Sequence, residues 1–233
     1  ALGEQKVTGV IGLKAIHMTT AEERKKVPKL EEYYIDIGVK SREEAEKLVG
    51  IGDCGVFVSD VVEFGDGMLK AKAIDDRVGC AVLVKLLEED LPMDCTFVFT
   101  VQEEVGTRGA FGSAFSVTTA ADNPALDESL QVCWPGKGPV LSWMDGGSIY
   151  DRGLFELLRD LADRNGLPWQ MKHYLAGGTD ASAIQRTKSG VRVAGISAAV
   201  RYLHAPSSVA NISDMEHMLT LARLFVGAVA ESC

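Results

Sequence analysis

Two adjacent glutamates follow an apolar stretch that is typical of a buried strand. Residues 95–101 (CTFVFTV) are mostly apolar, with many β-branched and aromatic side chains, and Gln102, Glu103 and Glu104 follow directly. Neighbouring carboxylates repel each other, and burying either one is costly unless it is paired or bound to a metal. If a turn at Gly106 brings both to one cavity, one could ligate a metal while the other accepts a proton from bound water. Two solvated loop glutamates are the alternative interpretation, but their position after a predicted buried strand favours a functional role.

A second acidic pair lies at the predicted junction between a strand and a helix. Asp75 and Asp76 follow the segment MLKAKAI and precede a helix with a broad apolar face, predicted over 77–90. Asp76 is well placed to cap that helix, with Asp75 as a solvated loop acid. One of them could instead be a carboxylate bridge between metal ions, and the residues alone leave both interpretations open.

Four histidines compete for a ligand role beside these acids. His204 follows the apolar strand predicted at 191–199, and Pro206 stiffens its loop. Borderline metals such as Zn²⁺ accept this mixture of imidazole nitrogen and carboxylate oxygen. For the remaining histidines, a satisfied core or surface position is the plainer interpretation. These are His17, His173 and His217.

A glycine-rich turn supplies a further candidate for substrate binding. The sequence GGTDA at 177–181 places glycines and a capping residue before a short predicted helix. Such a helix start could receive an anionic or carbonyl group, which makes Gly178, Thr179 and Asp180 candidate substrate-pocket residues. An ordinary strand-to-helix turn explains the same pattern equally well.

The bulk properties of the chain exclude several classes of protein. Its 233 residues are 46% apolar and 24% charged, as in an ordinary globular protein. The net charge of −9 argues against a general nucleic-acid or acidic-membrane partner. No apolar run approaches the roughly 20 residues that span a bilayer, and no leader pattern opens the sequence. The five cysteines are widely spaced and lack a CxxC pair, which favours reduced thiols and a cytoplasmic location.

The predicted elements divide the chain into a small, mainly β unit at 1–69 and an α/β unit at 70–233. The first contains short strands and two short helices, capped by Thr20 with Glu23 and by Ser41 with Glu44. In the second, strands and helices alternate, which predicts a mixed, largely parallel sheet covered by helices. Its predicted helices lie at 77–90, 154–166 and 214–230, and its predicted strands at 95–101, 138–144, 169–175 and 191–199. The last helix carries a capping box from Ser213 and Glu216.

Three polar clusters fall where predicted strands end. They are AIDDR (73–77), VQEEVG (101–106) and RYLHAP (201–206). Active sites of open α/β sheets lie beyond the carboxyl ends of the strands. The sequence therefore predicts that these clusters meet in one site.

Several motifs in this order resemble one known family. They are GVIGLKAIH, YYIDIGVKSREEAE, AKAIDDRVGCAV, FTVQEEVGTRGA, GKGPVLSWMD, AGGTDASAIQ and RYLHAP. Together they resemble the tetrahedral (TET) aminopeptidases, dinuclear metallopeptidases that include glutamyl and deblocking aminopeptidases. The resemblance covers essentially the whole chain. It implies a cytoplasmic enzyme that removes N-terminal residues from short peptides, with two divalent metal ions, zinc or cobalt, as cofactors.

The resemblance also implies roles for individual residues. Asp75 matches the bridge between the two metals, Glu104 and His204 match ligands, Glu103 matches the general base, and Asp76 would orient the bridge. The small β unit matches a dimerisation domain inserted into the catalytic domain. Members of the family assemble from dimers into hollow dodecamers.

The sequence departs from the family pattern in two places. A segment of HxD type with a metal-binding histidine should precede the small β unit, and a strand ending in a carboxylate ligand should separate Val117 from Thr118. A parallel sheet without an interior strand would leave backbone groups unpaired. We therefore expect the sequence to be part of a longer chain that carries the missing ligands.

Two other functions are open at this stage. If the gaps are genuine, the chain is a catalytically inactive relative that serves as an oligomeric scaffold or binding protein. A glycosidase is a third interpretation of the paired acids. It is disfavoured because such enzymes place two carboxyls roughly 5–10 Å apart across a bond, and the sequence shows no aromatic sugar platform.

Overall fold

The computed structural model describes residues 6–110, 131–173, 175 and 177–232, and the backbone of 115–122. The chain divides into two compact units, Ala1–Phe57 and Val58–Cys233. The unit boundary predicted from the sequence lies later, between residues 69 and 70. The difference arises from two strands, Val62–Phe64 and Met68–Ala71, which pair within the sheet of the larger unit. The role of the first unit as an inserted dimerisation domain stays a prediction.

The first unit has little regular structure in its described part. Strands β1 (Val10–Gly12) and β2 (Tyr34–Asp36) pair antiparallel. The predicted helices are a single 3₁₀ turn, Glu23–Lys25, and the short helix α1, Arg42–Ala45. Further 3₁₀ turns span Ile16–Met18 and Leu30–Glu32. None of these helical residues is buried, so no tertiary packing extends them.

A capping box nevertheless forms where the sequence predicts one. The Thr20 N–H donates to Glu23 Oε2 over 2.6 Å, and the Glu23 N–H donates to Thr20 Oγ1 over 3.2 Å. At the second predicted box, the Glu44 N–H donates to Ser41 Oγ over 3.2 Å, while the Glu44 carboxylate accepts from the N–H of Lys40. The capping box forms even in these short helices, because it needs only residues of the first helical turn and no tertiary packing.

The second unit contains a mixed sheet of seven strands, which confirms the predicted mixed sheet covered by helices. The expectation that this sheet is largely parallel is wrong, because four of the six described pairings are antiparallel, two of them between strands that short connections join. Its strands are β3 (Val62–Phe64), β4 (Met68–Ala71), β5 (Phe115–Asp122), β6 (Val140–Leu141), β7 (Gln170–Met171), β8 (Ala194–Arg201) and β9 (Ser208–Asn211). They lie in the order β3-β4-β9-β8-β6-β7, and β5 also pairs with β8. Pairing is parallel for β5 with β8 and for β6 with β7, and antiparallel elsewhere.

Helices cover this sheet and bury its central strand. They are α2 (Ile74–Leu87), α3 (Arg152–Arg164), α4 (Ala181–Gln185) and α5 (Ile212–Glu231). Helices α2, α3 and α5 pack against Ile196, Ala198 and Val200 of β8. Residues four apart share a face of a helix, and α2 buries such a stripe at Val78, Val82 and Leu86. Among the described residues, no helix combines the length and apolarity needed to cross a membrane.

The predicted strand at 95–101 is wrong, because this segment pairs with no strand in the described part of the chain. Its side chains include Val98 at 39%, Phe99 at 46% and Val101 at 71% exposure. β-Branched and aromatic residues form a strand only where a neighbouring strand supplies backbone partners and a packing surface. In the described part of the chain, the segment lies beside no strand that pairs with it.

Strand β5 runs through the place where the family pattern would have an additional strand. Its register with β8 is unbroken, with Val117 opposite Ile196 and Thr118 opposite Ser197. The backbone of this stretch is therefore paired along the whole of β5. A missing segment between Val117 and Thr118 stays a prediction about a longer chain.

The N-cap of α5 differs from the predicted one. The cap is Asn211, whose Oδ1 accepts from the Ser213 N–H over 2.9 Å and from the Ser213 hydroxyl over 2.6 Å. The predicted capping box of Ser213 and Glu216 is wrong, because the helix already begins at Ile212. Asn211 also ends β9, so the strand and the helix join without a loop.

A buried carboxylate in the first turn of α5 clamps a neighbouring glycine turn. Asp214 is fully buried, and its two oxygens accept from the N–H groups of Gly136 (2.6 Å) and Gly138 (2.7 Å). Both glycines have positive φ, 85° and 89°, which other residues rarely adopt. Burial raises the pKa of Asp214, and the two N–H groups oppose that shift.

We expect the substitution Asp214→Ala to lower the free energy of unfolding by at least about 2 kcal/mol. The buried N–H of Gly138 would lose its acceptor, and the glycine turn would lose its link to α5. Chemical denaturation measures this change. The control is Glu216→Ala, an exposed substitution on the same helix, which should change stability by less than about 0.5 kcal/mol. Equal stability of the two variants would contradict the clamp.

Candidate metal centre

The three acidic or histidine-bearing clusters of the sequence meet at the start of α2. Residue Asp75 leads into the helix, Glu104 lies in the loop after residue 101, and His204 lies in the loop between β8 and β9. Several non-glycine residues of these loops have left-handed backbone conformations. They are Ala73, Gln102, Tyr202 and His204, with φ between 53° and 61°. Such conformations cost about 1–3 kcal/mol each and cluster at functional sites.

The spacing of the three side chains fits one divalent cation. His204 Nε2 lies 3.4 Å from Asp75 Oδ2 and 3.2 Å from Glu104 Oε2, and all three potential ligand atoms lie within 4.8 Å of one another. A tetrahedral zinc ion with bonds of about 2.0–2.2 Å would hold its ligand atoms roughly 3.5 Å apart. In the described part of the chain, these residues form the one group of three or more candidate ligands. The predicted ligands Asp75, Glu104 and His204 are therefore brought together.

Asp76 stands just behind this group and carries out the capping role that its position suggested. Its Oδ1 accepts from the N–H of Gly79 over 3.2 Å, and the peptide between Asp75 and Asp76 is cis. Burial raises the pKa of Asp76 to about 8, and the neighbouring carboxylates Asp75, Glu103 and Glu104 contribute to that rise. Asp76 thus fixes the start of α2 directly beside Asp75.

Glu103 is a half-buried carboxyl close enough to the candidate ligands for their charges to act on it. The pKa of Glu103 is raised to about 7, and burial is the largest cause. Repulsion from Asp180, Glu104 and Asp75 adds to the rise, while His204 opposes it. Burial and Asp75 also raise the pKa of Glu104. A cation among these carboxylates would offset the repulsion, which is why acids can be adjacent here.

Asp180 is the substrate-pocket candidate that the structure brings closest to this chemistry. It is buried, its Oδ2 accepts from the Thr100 hydroxyl over 2.5 Å, and its charge acts on Glu103. Its Oδ1 is buried and has no hydrogen-bond partner among the described residues. Its side chain does not cap α4, because it bonds to Thr100, and the Thr179 hydroxyl instead accepts from the Ala181 N–H at the start of that helix over 3.2 Å.

Thr179 and Gly178 lie against a buried network that the sequence analysis missed. The Thr179 hydroxyl is 3.3 Å from the Tyr150 hydroxyl, which donates to Asp145 Oδ2 over 2.8 Å. Asp145 also accepts from the N–H groups of the glycine and serine that follow it, at 147 and 148. Gly178 is exposed and faces Gly147. The DGG turn after strand β6 was the available signal for this network.

The other histidines lie outside the group of candidate ligands. His17 is in an exposed 3₁₀ turn of the first unit. His173 packs its ring against Trp134 in a T-shaped contact with centroids 4.9 Å apart. His217 is on α5, with a buried Nδ1 that finds no partner in the described residues. His17 and His173 thus agree with the expected surface or packing role, whereas the buried Nδ1 of His217 is not satisfied within the described residues.

The raised pKa values predict how the stability of the metal-free protein depends on pH. Asp76 and Glu103 titrate at about 8 and about 7 in the folded state, but near about 4 when unfolded. Between these values the folded state binds more protons, so the contribution is present at low pH and is lost as the pH rises through the folded pKa. In metal-free protein, we therefore expect these groups to lower the melting temperature as the pH rises from about 4 to about 8, with no further loss at higher pH.

A pair of variants isolates this effect. Asp76→Asn should flatten the dependence of melting temperature on pH, because it removes the carboxyl with the higher of the two pKa values. The control is Asp66→Asn, which changes an exposed acid in the turn before β4 and should leave the dependence of melting temperature on pH unchanged. An unchanged slope in Asp76→Asn, measured in chelator by calorimetry, would show that Asp76 does not govern it.

Comparison with known proteins identifies similar chains. A family model described as M42 glutamyl aminopeptidase matches residues 2–221. A putative aminopeptidase of Acetivibrio thermocellus is 40% identical over 225 residues, which cover 91% of this chain and 67% of that protein. Among solved structures, aminopeptidase APDkam598 of the archaeon Desulfurococcus kamchatkensis has a TM-score of 0.86 and 36% identity, covering 94% of this chain and 64% of that one. The TET1 peptidase of Pyrococcus horikoshii, described as assembling into a tetrahedron or a large octahedral shell, has a TM-score of 0.77 and 30% identity, covering 94% and 67%. The chain thus spans about two thirds of the length of these relatives.

Proposed function

The chain belongs to the M42 glutamyl aminopeptidase family, and on that premise we propose that it removes N-terminal residues from short peptides with metal-activated water. The observation that supports this best is the convergence of Asp75, Glu104 and His204, three ligand side chains from distant parts of the sequence. Glu103, with a pKa raised to about 7, lies beside them as a carboxyl able to exchange a proton near neutral pH.

Each residue of the site has a distinct task in this proposal. Asp75 and Glu104 supply carboxylate oxygens and His204 supplies Nε2 to hold divalent ions, zinc or cobalt. A pair of such ions would polarise the scissile carbonyl and lower the pKa of a bound water. Glu103 would accept the proton of the attacking water and return it to the leaving amine. Asp76, held by the N–H of Gly79, would keep Asp75 in position as the bridging ligand.

Two metal ions require more ligands than these three side chains. We place the others in segments that the family pattern puts before the small β unit and between Val117 and Thr118. The share of the relatives that this chain spans, 67% for the Acetivibrio protein, supports a longer chain. The substrate-pocket roles of Gly178, Thr179 and Asp180 likewise belong to the proposal, with Asp180 beside Glu103 as its main support.

Assembly into dimers and dodecamers, and a cytoplasmic location, complete the proposal. The first unit exposes apolar side chains, including Val10 at 70%, Ile16 at 71% and Tyr34 at 57%. Exposed apolar side chains can belong to protein–protein interfaces, and we propose that these take part in one. The description of the TET1 relative as a tetrahedral or octahedral assembly supports the same expectation.

A blocked and a free substrate together test the activity. We expect the longer chain that carries the remaining ligands, supplied with Co²⁺ or Zn²⁺, to release p-nitroaniline from leucyl-p-nitroanilide and not from its N-acetylated form, because an aminopeptidase requires a free amino terminus. Cleavage of both compounds would contradict an aminopeptidase. Failure to cleave either one, together with failure to bind metal, would favour the inactive scaffold.

A further inference from the structure

The loop between β8 and β9 presents His204 to the candidate metal centre in an unfavourable backbone conformation. Tyr202 and His204 both have left-handed conformations, with φ of 58° and 61°. Such conformations persist only where the surrounding structure holds them. The His204 side chain is 67% exposed, so packing around the imidazole does not fix it. Other contacts of the loop must therefore set the direction of the ring.

The N-terminal side of this loop is held by its own residues and by the core. Leu203 packs against the main hydrophobic core of the second unit. The carbonyl oxygen of Tyr202 accepts from the Ala205 N–H over 3.1 Å and from the Ser208 hydroxyl over 3.3 Å. These contacts fix the residues around the turn, but they leave the position of the segment after His204 to another interaction.

The C-terminal side of the loop is tied to a distant segment by a hydrogen bond between two serine hydroxyls. The Oγ atoms of Ser59 and Ser207 lie 2.7 Å apart, although the residues are 148 positions apart in the sequence. Both residues are half-buried and belong to the second unit, and Ser59 is the one residue of 50–67 that is not exposed. Pro206, whose ring fixes φ, links Ser207 rigidly to the rest of the loop.

The strand register explains why Ser59 reaches this loop. The first residue of β3 lies opposite Lys70, and the first residue of β9 lies opposite Ala71. Because β3 and β9 both run antiparallel to β4, the residues that precede them lie beyond the C-terminal end of β4. The chain leaves that same end of β4 toward Asp75. Ser59 and Ser207 therefore lie at the end of the sheet where the candidate ligands meet.

We propose that Ser59 is a positioning residue for the metal ligand His204 and acts through the hydroxyl of Ser207. The inference rests on the proposed function, since it takes His204 as a ligand. Nε2 of His204 faces Asp75 and Glu104 at 3.4 Å and 3.2 Å. With the bond to Ser59 in place, the loop is held on both sides of His204, so a metal ion does not have to order it on binding.

The affinity for Co²⁺ tests this role without turnover. In the longer chain that carries the remaining ligands, we expect Ser59→Ala to bind Co²⁺ about three- to tenfold more weakly by calorimetry, the effect of losing one hydrogen bond. Ser59→Thr keeps the hydroxyl and should bind like the parent chain. The control is Ser232→Ala, which removes an exposed hydroxyl that donates to the Ala228 carbonyl at the end of α5 and should leave the affinity unchanged.

A double-mutant cycle shows whether Ser59 acts through Ser207. Ser207→Ala should weaken Co²⁺ binding as much as Ser59→Ala does. The double variant should bind no more weakly than either single variant, because each substitution removes the same bond. Losses that multiply in the double variant, or an unchanged affinity in Ser59→Ala, would overturn the proposal.

Hydrogen–deuterium exchange in chelator separates this role from a general effect on the fold. The Ala205 N–H is bonded within the loop, and we expect Ser59→Ala to speed exchange in peptides that cover residues 202–208. Peptides from α3 and α5 should keep the exchange rate of the parent chain, because the opening is local. Faster exchange throughout the second unit would make Ser59 a residue of general stability and would contradict the proposal.

The outcome is separable from that of the proposed function. Co²⁺ binding that depends on Ser59, without hydrolysis of aminoacyl substrates, would support the positioning role and count against the aminopeptidase. Hydrolysis with a Co²⁺ affinity that is independent of Ser59 would support the aminopeptidase and overturn the positioning role.

Discussion

Replacing Glu103 with glutamine is expected to lower turnover by about 10²–10⁴-fold while divalent metal binding is retained. Glutamine keeps the size of the side chain but cannot accept the proton of the attacking water. The ligands Asp75, Glu104 and His204 remain unchanged in this variant, so the metal site should still form. The measurements are the rate of aminoacyl hydrolysis at saturating metal and the affinity for Co²⁺ by calorimetry.

Comparison with the neighbouring glutamate makes this test specific. Glu104→Gln should weaken metal binding as well as turnover, because Glu104 is one of the three clustered ligands. Glu216→Gln, on the exposed side of α5, controls for the general effect of removing a carboxylate. A Glu103→Gln variant with the activity of the parent chain would remove Glu103 from the role of base.

Removing metal with EDTA is expected to abolish hydrolysis, and adding Co²⁺ or Zn²⁺ to restore it. Metal should also stabilise the fold, because it offsets repulsion among carboxylates whose pKa values are raised in its absence, such as Glu103 and Glu104. A ligand at one hundred times its dissociation constant stabilises the native state by about 2.7 kcal/mol. The measurement is the melting temperature with and without metal.

A histidine substitution identifies the site of this stabilisation. His204→Asn should remove most of the metal-dependent rise in melting temperature, because His204 contributes the imidazole that faces both Asp75 and Glu104. His17→Asn is the matched control, since His17 lies in an exposed turn of the first unit. If metal raised the melting temperature of His204→Asn as much as that of the parent chain, the stabilising ion would have to lie elsewhere.

Much of the local structure and the identity of the candidate site residues followed from the sequence by itself. The Thr20 capping box and the apolar stripe of α2 depend on residues within a few positions of one another. Interactions of that range are encoded directly by spacing and residue type. The order of the acidic clusters at the ends of predicted elements nominated the two acidic pairs and His204, and the family resemblance singled out Asp75 and Glu104 as the ligands among the acids.

The tertiary structure alone decided what these residues contact and how buried they are. It brought Asp75 and His204 within 3.4 Å, placed Thr100 against Asp180, and made Asn211 the cap of α5. It also left residues 95–101 without a strand partner in the described part of the chain. Strand pairing, burial and charge proximity each depend on segments far apart in sequence, whose meeting is set by the packing of the whole unit. The pKa of Glu103 is raised for the same reason, since its largest causes are burial and a carboxylate from a distant loop, Asp180.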